Sequence, residues 1–307
     1  MKKIFLLLII SCTVPLSAKE LKVLMIGNSF SQSVLKYLPK IVEAGKQHKL
    51  LLANAYIGGC TLERHCSNID AEKTKPSLKP YAYNTTKGRG KKIKLSDAIK
   101  AEKWDIITIQ QGSTHSPYKG KTQKYGKKLI AFVKQLAPQA EIVVHQTWAY
   151  RADHNWFTKK GATLTRQKMH DMLTENYMEL ARSNNLRMIP MGNAVQLFRE
   201  KLPVKTVKYT AADLKKLKYP AIMDITGGDV VGYMKWSKNR KTSKMVMKND
   251  KHHLGDTGNF MQGCVWYMFL FDAKAADIKL DYKGPNAQLL KECAETAVAA
   301  NPMQSKK

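Results

Sequence analysis

The stretch from Leu21 to Phe30, which reads LKVLMIGNSF, decides the fold class. Its first part, LKVLMI, is a mainly apolar run of strand length, and Gly-Asn-Ser-Phe follows where a tight turn is expected. Apolar residues then recur at helical spacing from Val34 to Ala44. The stretch therefore predicts a buried strand, a tight turn and a helix.

The same alternation of strand and helix returns further along the chain. Strand-like runs lie at 50–57, 104–109, 140–145 and 186–190, and helical patterns lie at 127–136 and 163–183. Short buried strands that alternate with helices predict an α/β protein, with a parallel sheet covered by helices on both faces. Functional side chains in such sheets collect at the carboxyl ends of the strands.

The composition is that of a folded globular protein, with 44% hydrophobic and 25% charged residues in 307. We expect one domain over residues 19–307. Two basic segments, near 73–94 and 205–249, interrupt the pattern, and we interpret both as surface insertions near one rim. Because the first contains two prolines and two glycines, it is expected to be a hairpin or loop.

The first 18 residues have the pattern of a secretory signal peptide. Two lysines precede an apolar run, and Leu16-Ser17-Ala18 supplies the small residues of a cleavage site after Ala18. The alternative is a lipoprotein signal, in which Cys12 would carry the lipid anchor. Either reading predicts an exported protein, periplasmic or extracellular. No other apolar run is long enough to be a transmembrane segment.

The chain carries a formal charge of +28 at pH 7, which falls to +26 once Lys2 and Lys3 are removed with the signal. Such a surface attracts polyanions. For an exported protein these are acidic or sulfated polysaccharides, cell-surface phosphates or anionic lipids, and we expect no nucleic-acid partner. Charge alone is equally compatible with a generic solvated basic surface.

Four cysteines remain after the signal: Cys60, Cys66, Cys264 and Cys293. An oxidising compartment permits disulfides, but four thiols allow three full pairings and the sequence does not choose among them. Their spacing is not that of a zinc site, and we expect neither a metal nor a cofactor.

Ser29 is the candidate nucleophile. It lies where the first strand turns into the first helix, a place that exposes a hydroxyl and directs helix N-terminal N–H groups at an anion. A serine hydroxyl needs a base that accepts its proton and a third group that orients the base. The alternative reading of Ser29 is a simple helix N-cap.

Asp250 and His253 are the candidate partners of this serine. They stand three apart in the sequence DKHHLGDTG, which we interpret as a loop before the apolar stretch 260–271. One imidazole nitrogen can bind the carboxylate while the other faces a serine. His252 competes for the same role.

Together these blocks resemble the SGNH hydrolases, also called GDSL-like hydrolases, with IGNSFS as the serine block and DKHH as the histidine block. The resemblance implies a flavodoxin-like three-layer α/β/α fold and catalytic Ser29, Asp250 and His253. It also implies an oxyanion hole formed by the N–H groups of Ser29 and Gly59 and by an amide in the block IQQGS. We assign that amide to Gln111, with Gln110 as the alternative.

Five ordered blocks, GNSFS, IGGCTLERH, WDIITIQQGS, HQTWAYR and DKHHLGDTGNF, are similar to a poorly characterised bacterial branch of this superfamily, known as a domain of unknown function. The resemblance implies hydrolysis of an acyl ester, with removal of acetyl groups from a carbohydrate favoured. Two alternatives remain: a catalytically silent polyanion-binding or polysaccharide-binding protein on the same fold, and a lipase or lysophospholipase.

Several side chains are candidates for the wall of a substrate pocket. Trp148 and Tyr150 follow a strand end and could stack on a sugar ring, or could simply pack in the core. Arg151 could bind an anionic substituent, although an exposed position in a surface salt bridge is the reading we favour. The remaining candidates are His65, His115 and His145.

Overall fold

The computed structural model describes residues 18–205, 207–239 and 241–304, and every structural statement below refers to these residues. Residues 1–17 of the predicted signal peptide, including Cys12, lie outside them. The strands are β1 Glu20–Gly27, β2 Lys49–Tyr56, β3 Tyr81–Thr85, β4 Gly88–Ile93, β5 Ile106–Ile109, β6 Glu141–His145, β7 Arg187–Ile189, β8 Val231–Lys238 and β9 Met245–Leu254. The helices are α1 Ser29–Gln32, α2 Leu38–Gly45, α3 Leu62–Thr74, α4 Leu95–Lys100, α5 Lys119–Leu136, α6 Asn155–Thr158, α7 Arg166–Ser183, α8 Met191–Lys201, α9 Ala211–Lys216, α10 Asp256–Phe271 and α11 Ala287–Ala299.

The central sheet has the strand order β4-β3-β2-β1-β5-β6-β7. Its five strands β2-β1-β5-β6-β7 are all parallel, and taken in chain order they follow the flavodoxin-like arrangement 2-1-3-4-5. The predicted α/β fold with a parallel sheet is therefore confirmed. The strand order reverses between β1 and β5, and in open α/β sheets a crevice for ligands opens at such a point.

Helices cover both faces of this sheet. One group, α2, α8, α10 and α11, packs together on one side, and α3, α4, α5 and α7 pack together on the other. α10 is apolar around most of its circumference because it is enclosed between the sheet and its helical neighbours. The layers are those of the predicted three-layer α/β/α architecture.

The two basic segments have different structures. Residues 73–94 contain the hairpin β3–β4, as expected, and this hairpin joins the edge of the central sheet through antiparallel pairing of β3 with β2. Residues 205–249 contain α9, β8 and half of β9, and β8 and β9 form a separate two-stranded antiparallel sheet. The second segment thus contains α9, the first strand and the turn of a hairpin, and the second strand of this hairpin continues as far as Leu254.

All four cysteines that follow the signal are buried free thiols in this structure. Cys60 and Cys66 each direct the sulfur at a backbone carbonyl, that of Thr61 and that of Tyr125 respectively. Burial raises the pKa of the Cys60 thiol to about 12, so the neutral form fits its apolar surroundings. Within the residues described, no helix combines the length and the apolar character that a membrane crossing requires.

Candidate active site

Ser29 begins α1 directly after the carboxyl end of β1. Asn28 is the N-cap of this helix, since its side chain accepts a hydrogen bond from the N–H of Phe30, so the alternative reading of Ser29 as the cap is wrong. Gly27 is required by close packing, because a Cβ there would lie 2.4 Å from the Ser31 hydroxyl. The turn leaves the Ser29 hydroxyl free to meet a side chain from elsewhere in the chain.

That side chain comes from β9. Between the pairs Val231–Leu254 and Tyr233–Asp250 the register shifts, with two more residues on β9 than on β8. Bulges of this kind bend a strand and redirect side chains. The predicted loop around Asp250 and His253 is therefore a bulged strand end, and the bulge brings both side chains to the same side.

Asp250 fixes the backbone of the bulge as well as the histidine. Its Oδ1 accepts hydrogen bonds from the backbone N–H groups of His252 (3.0 Å) and His253 (2.8 Å). Its Oδ2 lies 2.7 Å from Nδ1 of His253. Burial by itself would raise the pKa of Asp250, but these three hydrogen bonds favour the carboxylate and hold the pKa below its ordinary value.

The chain of hydrogen bonds ends on the serine. Nε2 of His253 lies 2.7 Å from Oγ of Ser29, so serine, imidazole and carboxylate are joined in one line. In this arrangement a neutral imidazole can accept the hydroxyl proton while the carboxylate holds its orientation and stabilises the imidazolium. His252 has a different position: its Nδ1 is 3.6 Å from Asp250, and its ring packs against Tyr150 and His154.

Among the described residues, only one group of side chains has ligand atoms close enough together to hold a metal ion: Asp250, His252 and His253. Both nitrogens of His253 are already engaged, one with Asp250 and one with Ser29. The geometry of the cluster is therefore that of a proton-transfer chain.

The turn that follows β2 lies beside Ser29. Its backbone is attached to the serine turn at two points: the N–H of Ile57 donates to the carbonyl of Gly27, and the Asn28 amide donates to the carbonyl of Cys60. Gly59 occupies the exposed part of this turn with φ of +62°, a conformation that favours glycine. Its N–H donates to no group of the described chain, which leaves this donor unused within the fold.

The assignment of Gln111 to the oxyanion hole is contradicted by its contacts. The side chain is buried, its Oε1 accepts the N–H groups of Leu62 and Gly112 (both 2.9 Å), and its Nε2 donates to Thr122 (3.0 Å). All of these partners belong to the fold. The amide therefore joins the starts of α3 and α5. Because the side chain is fully buried and does not line the cavity, its second N–H is enclosed within the fold.

The alternative, Gln110, is also engaged in the interior. Its Nε2 donates to Oδ1 of Asn28 (2.7 Å), and its Oε1 lies 3.0 Å from Nδ1 of His145. Gln110 thereby supports the cap of α1 and, through it, the position of Ser29. Burial lowers the pKa of His145 to about 3, so this histidine acts as a neutral structural partner.

Ser29 and His253 open into a cavity of about 680 Å³. Its lining combines β1–α1, the β8–β9 hairpin and the start of α10: Ser29, Gln32, Ser33, Lys36, Trp148, Tyr233, Lys235, His253, Leu254, Gly255, Asp256 and Asn259. Tyr233 and Lys235 are two wall residues that the sequence did not point to. Their spacing of two on a strand puts them on one face, but only the pairing of β8 with β9 could show which face.

Trp148 lies in the wall, but it is only 1% exposed. Its ring stacks on Phe30 at 4.2 Å, and its N–H donates to the carbonyl of His252, so it supports both the serine turn and the hairpin. Tyr150 is buried against His252 and His154 and does not line the cavity. For both side chains, core packing is the reading that the contacts favour over sugar stacking.

The favoured reading of Arg151 as an exposed side chain is wrong. It is 3% exposed, pairs with both carboxylate oxygens of Asp153 (2.6 and 2.9 Å) and donates to Asn249 and to the carbonyl of Asp250. Burial opposes its charge, but the pairing with Asp153 raises its pKa above the ordinary value. Arg151 fastens the β9 bulge to the sheet and has no donor directed into the cavity.

The other histidine candidates also lie outside the cavity wall. Nδ1 of His65 lies 3.0 Å from the Tyr81 hydroxyl in the core, where burial lowers the pKa of His65 to about 3. His115 lies in the turn after β5, where its backbone N–H donates to the carbonyl of Gly112.

A parallel α/β sheet with a hydrogen-bonded serine, histidine and aspartate at its carboxyl edge has the architecture of the α/β serine hydrolases. The chain belongs to the family described as Domain of unknown function (DUF4886), whose model matches residues 22–213 and so includes Ser29. Asp250 and His253 lie beyond the matched residues. The resemblance drawn from the sequence blocks to a family of unknown function is confirmed.

One solved structure agrees with this chain on the fold over most of its length. A DUF4886 family protein from Bacteroides uniformis aligns with a TM-score of 0.70 at 24% identity, over 92% of this chain and 95% of that one. More distant likenesses are a candidate SGNH hydrolase from Slackia heliotrinireducens (TM-score 0.40, 19% identity, 62% and 88% covered) and the acetylxylan esterase Axe2 from Geobacillus stearothermophilus (0.34, 15%, 57% and 77%). No curated protein matches the chain.

Proposed function

We propose that this protein is an exported serine esterase that removes acyl groups, in the first instance acetyl groups, from a carbohydrate. The observation that carries the proposal is the line of two 2.7 Å contacts from Asp250 through His253 to Ser29, which ends in an open cavity. A serine hydroxyl paired with a base that is itself oriented by a carboxylate is the arrangement that acyl transfer requires.

The proposed reaction has two steps. Ser29 attacks the ester carbonyl while His253 takes its proton, and the proton then passes to the departing alcohol, which leaves an acyl group on the serine. Water, activated by the same histidine, releases the acid in the second step. The oxyanion formed in each step is held by the N–H groups of Ser29 and Gly59.

The cavity wall offers both hydrogen-bonding groups and aromatic surface, the combination that binds a sugar. Among the residues described as its lining, Leu254 is the only aliphatic side chain, whereas serine, glutamine, asparagine and lysine side chains supply hydrogen-bonding groups. Tyr233 is half-buried there and offers an aromatic face of the kind that packs on sugar rings. A polysaccharide end or an oligosaccharide, which presents hydroxyl groups together with apolar ring faces, therefore suits the site.

The test is hydrolysis of 4-nitrophenyl acetate, followed by acetate release from acetylated oligosaccharides. Ser29→Ala should abolish turnover on both, because the hydroxyl forms the covalent bond, while circular dichroism remains that of the parent protein. Ser33→Ala is the matched control, since it removes a neighbouring hydroxyl of the cavity wall that contacts Phe30 and Gln262. Equal rates for Ser29→Ala and the parent protein would exclude the serine mechanism.

A further inference from the structure

The charged groups around the cavity do not cancel. Two ammonium groups, those of Lys36 and Lys235, lie in its wall with a single carboxylate, Asp256. Lys36 lies 2.5 Å from Oδ1 of Asp256, which also accepts hydrogen bonds from Tyr37 and Tyr282, so this carboxylate is fully used. The nearby Asp250 accepts hydrogen bonds from His253 and from two backbone N–H groups, so it does not neutralise a lysine of the wall.

Lys235 is therefore left as the unneutralised cation of the wall. It is exposed on β8, on the same strand face as Tyr233, and it pairs with no carboxylate of the described chain. Its Nζ donates to the Tyr233 hydroxyl at 3.3 Å and lies 5.0 Å from the centre of that ring. The neutral phenol holds the ammonium at the cavity without reducing its charge.

From this placement we propose that Lys235 binds an anionic group of the substrate, so that the ester this protein cleaves is carried by a negatively charged saccharide. The inference rests on the proposed function and names the substrate class for that site. A carboxylate, as in a uronic acid, and a sulfate share the chemistry that a lysine ammonium recognises, because the ammonium is a point charge without the planar geometry of a guanidinium. A cavity of this size accommodates a small charged saccharide.

The first measurement is the kcat/KM ratio of anionic to neutral esters. The neutral ester is 4-nitrophenyl acetate, and the anionic esters are 4-acetoxybenzoate, for a carboxylate, and 4-acetoxybenzenesulfonate, for a sulfate. Lys235→Gln should lower the ratio by about two- to fivefold, mainly through KM, as expected for loss of one exposed charge contact. Intrinsic differences in ester reactivity cancel when the ratios of parent and variant are compared.

Two further variants test whether the effect depends on the position and the charge of Lys235. Lys238→Gln removes the same charge from the opposite face of β8, outside the cavity wall, and should leave the ratio unchanged. Lys235→Arg keeps the charge and should retain most of the preference. Raising the salt concentration from about 0.02 M to about 0.5 M should reduce the preference in the parent protein, since exposed charges are screened.

Binding tests the inference independently of catalysis. In Ser29→Ala protein, NMR titration with 4-acetoxybenzoate should give a lower Kd than titration with 4-nitrophenyl acetate, and Lys235→Gln in that background should remove the difference. Equal binding with and without Lys235, or an equal loss for neutral and anionic esters, would overturn the inference. Absence of any ester turnover by the parent protein would count against the proposed esterase. The binding experiment would still test whether Lys235 binds the anionic group.

Discussion

Replacement of Gln111 separates a structural role from a catalytic one. Its carbonyl oxygen accepts two buried backbone N–H groups, and its amide donates to Thr122. Gln111→Met keeps nearly the same volume but removes the acceptor, so two N–H groups lose their partner. At about 1–3 kcal/mol for each unsatisfied buried group, the free energy of unfolding should fall by roughly 2–6 kcal/mol.

The measurement is urea unfolding together with turnover of 4-nitrophenyl acetate by the folded fraction. A loss of that size corresponds to a fall in Tm of roughly 3–9 °C for a chain of this length. At a temperature where the variant is folded, kcat should stay within about threefold of the parent value, far from the hundredfold loss expected when an oxyanion donor is removed. Parent-like stability with a hundredfold lower kcat would refute this reasoning and restore Gln111 to the oxyanion hole.

Three further predictions follow from the contacts around the β9 bulge. His253→Ala should lower kcat on 4-nitrophenyl acetate by about a thousandfold or more, whereas His252→Ala should retain most of it; the reverse order would exchange their roles. The pKa of Asp250 is lower in the folded protein than its unfolded value near 4, so the carboxylate stabilises the fold above that value. This contribution is lost as the pH falls through the folded-state pKa. In acid denaturation curves, the difference in free energy of unfolding between the parent protein and Asp250→Asn should therefore become smaller as the pH falls. Arg151→Met should destabilise the protein by roughly 1–3 kcal/mol, because Asp153 loses its paired guanidinium but keeps its contacts with Lys251 and Tyr209. The preference for anionic esters should stay intact, and a lost preference would identify Arg151 as the anion contact.

The positions of the parallel strands along the sequence could be predicted because their signal is local, whereas the flavodoxin-like fold was implied only by the family resemblance. Runs such as Leu21–Ile26 and Trp104–Ile109 are apolar over the length of a strand, and helical patterns separate the runs. The pairing of Ser29 with His253 could be predicted only because two blocks far apart in the chain both resemble one family. The geometry that joins them depends on a register shift of two residues, which no local pattern specifies.

The polar side chains around the site were harder to place. Gln110 and Gln111 are adjacent and chemically identical, so their different roles depend on which buried N–H groups and side chains surround each amide. Arg151 was expected at the surface because arginine is seldom buried unless it is paired. Its partner, Asp153, lies only two residues away, but the remaining contacts come from β9, about 100 residues further along the chain.

The nucleophile and its base are held by different parts of the protein. Ser29 follows the central strand of a seven-stranded sheet, whereas His253 belongs to a two-stranded hairpin fastened by contacts such as those from Trp148 and Arg151. Small elements of this kind open at a lower free-energy cost than the core of a domain. On heating, activity should therefore disappear before the sheet melts, and recover on cooling, because inactivation needs only the hairpin to detach.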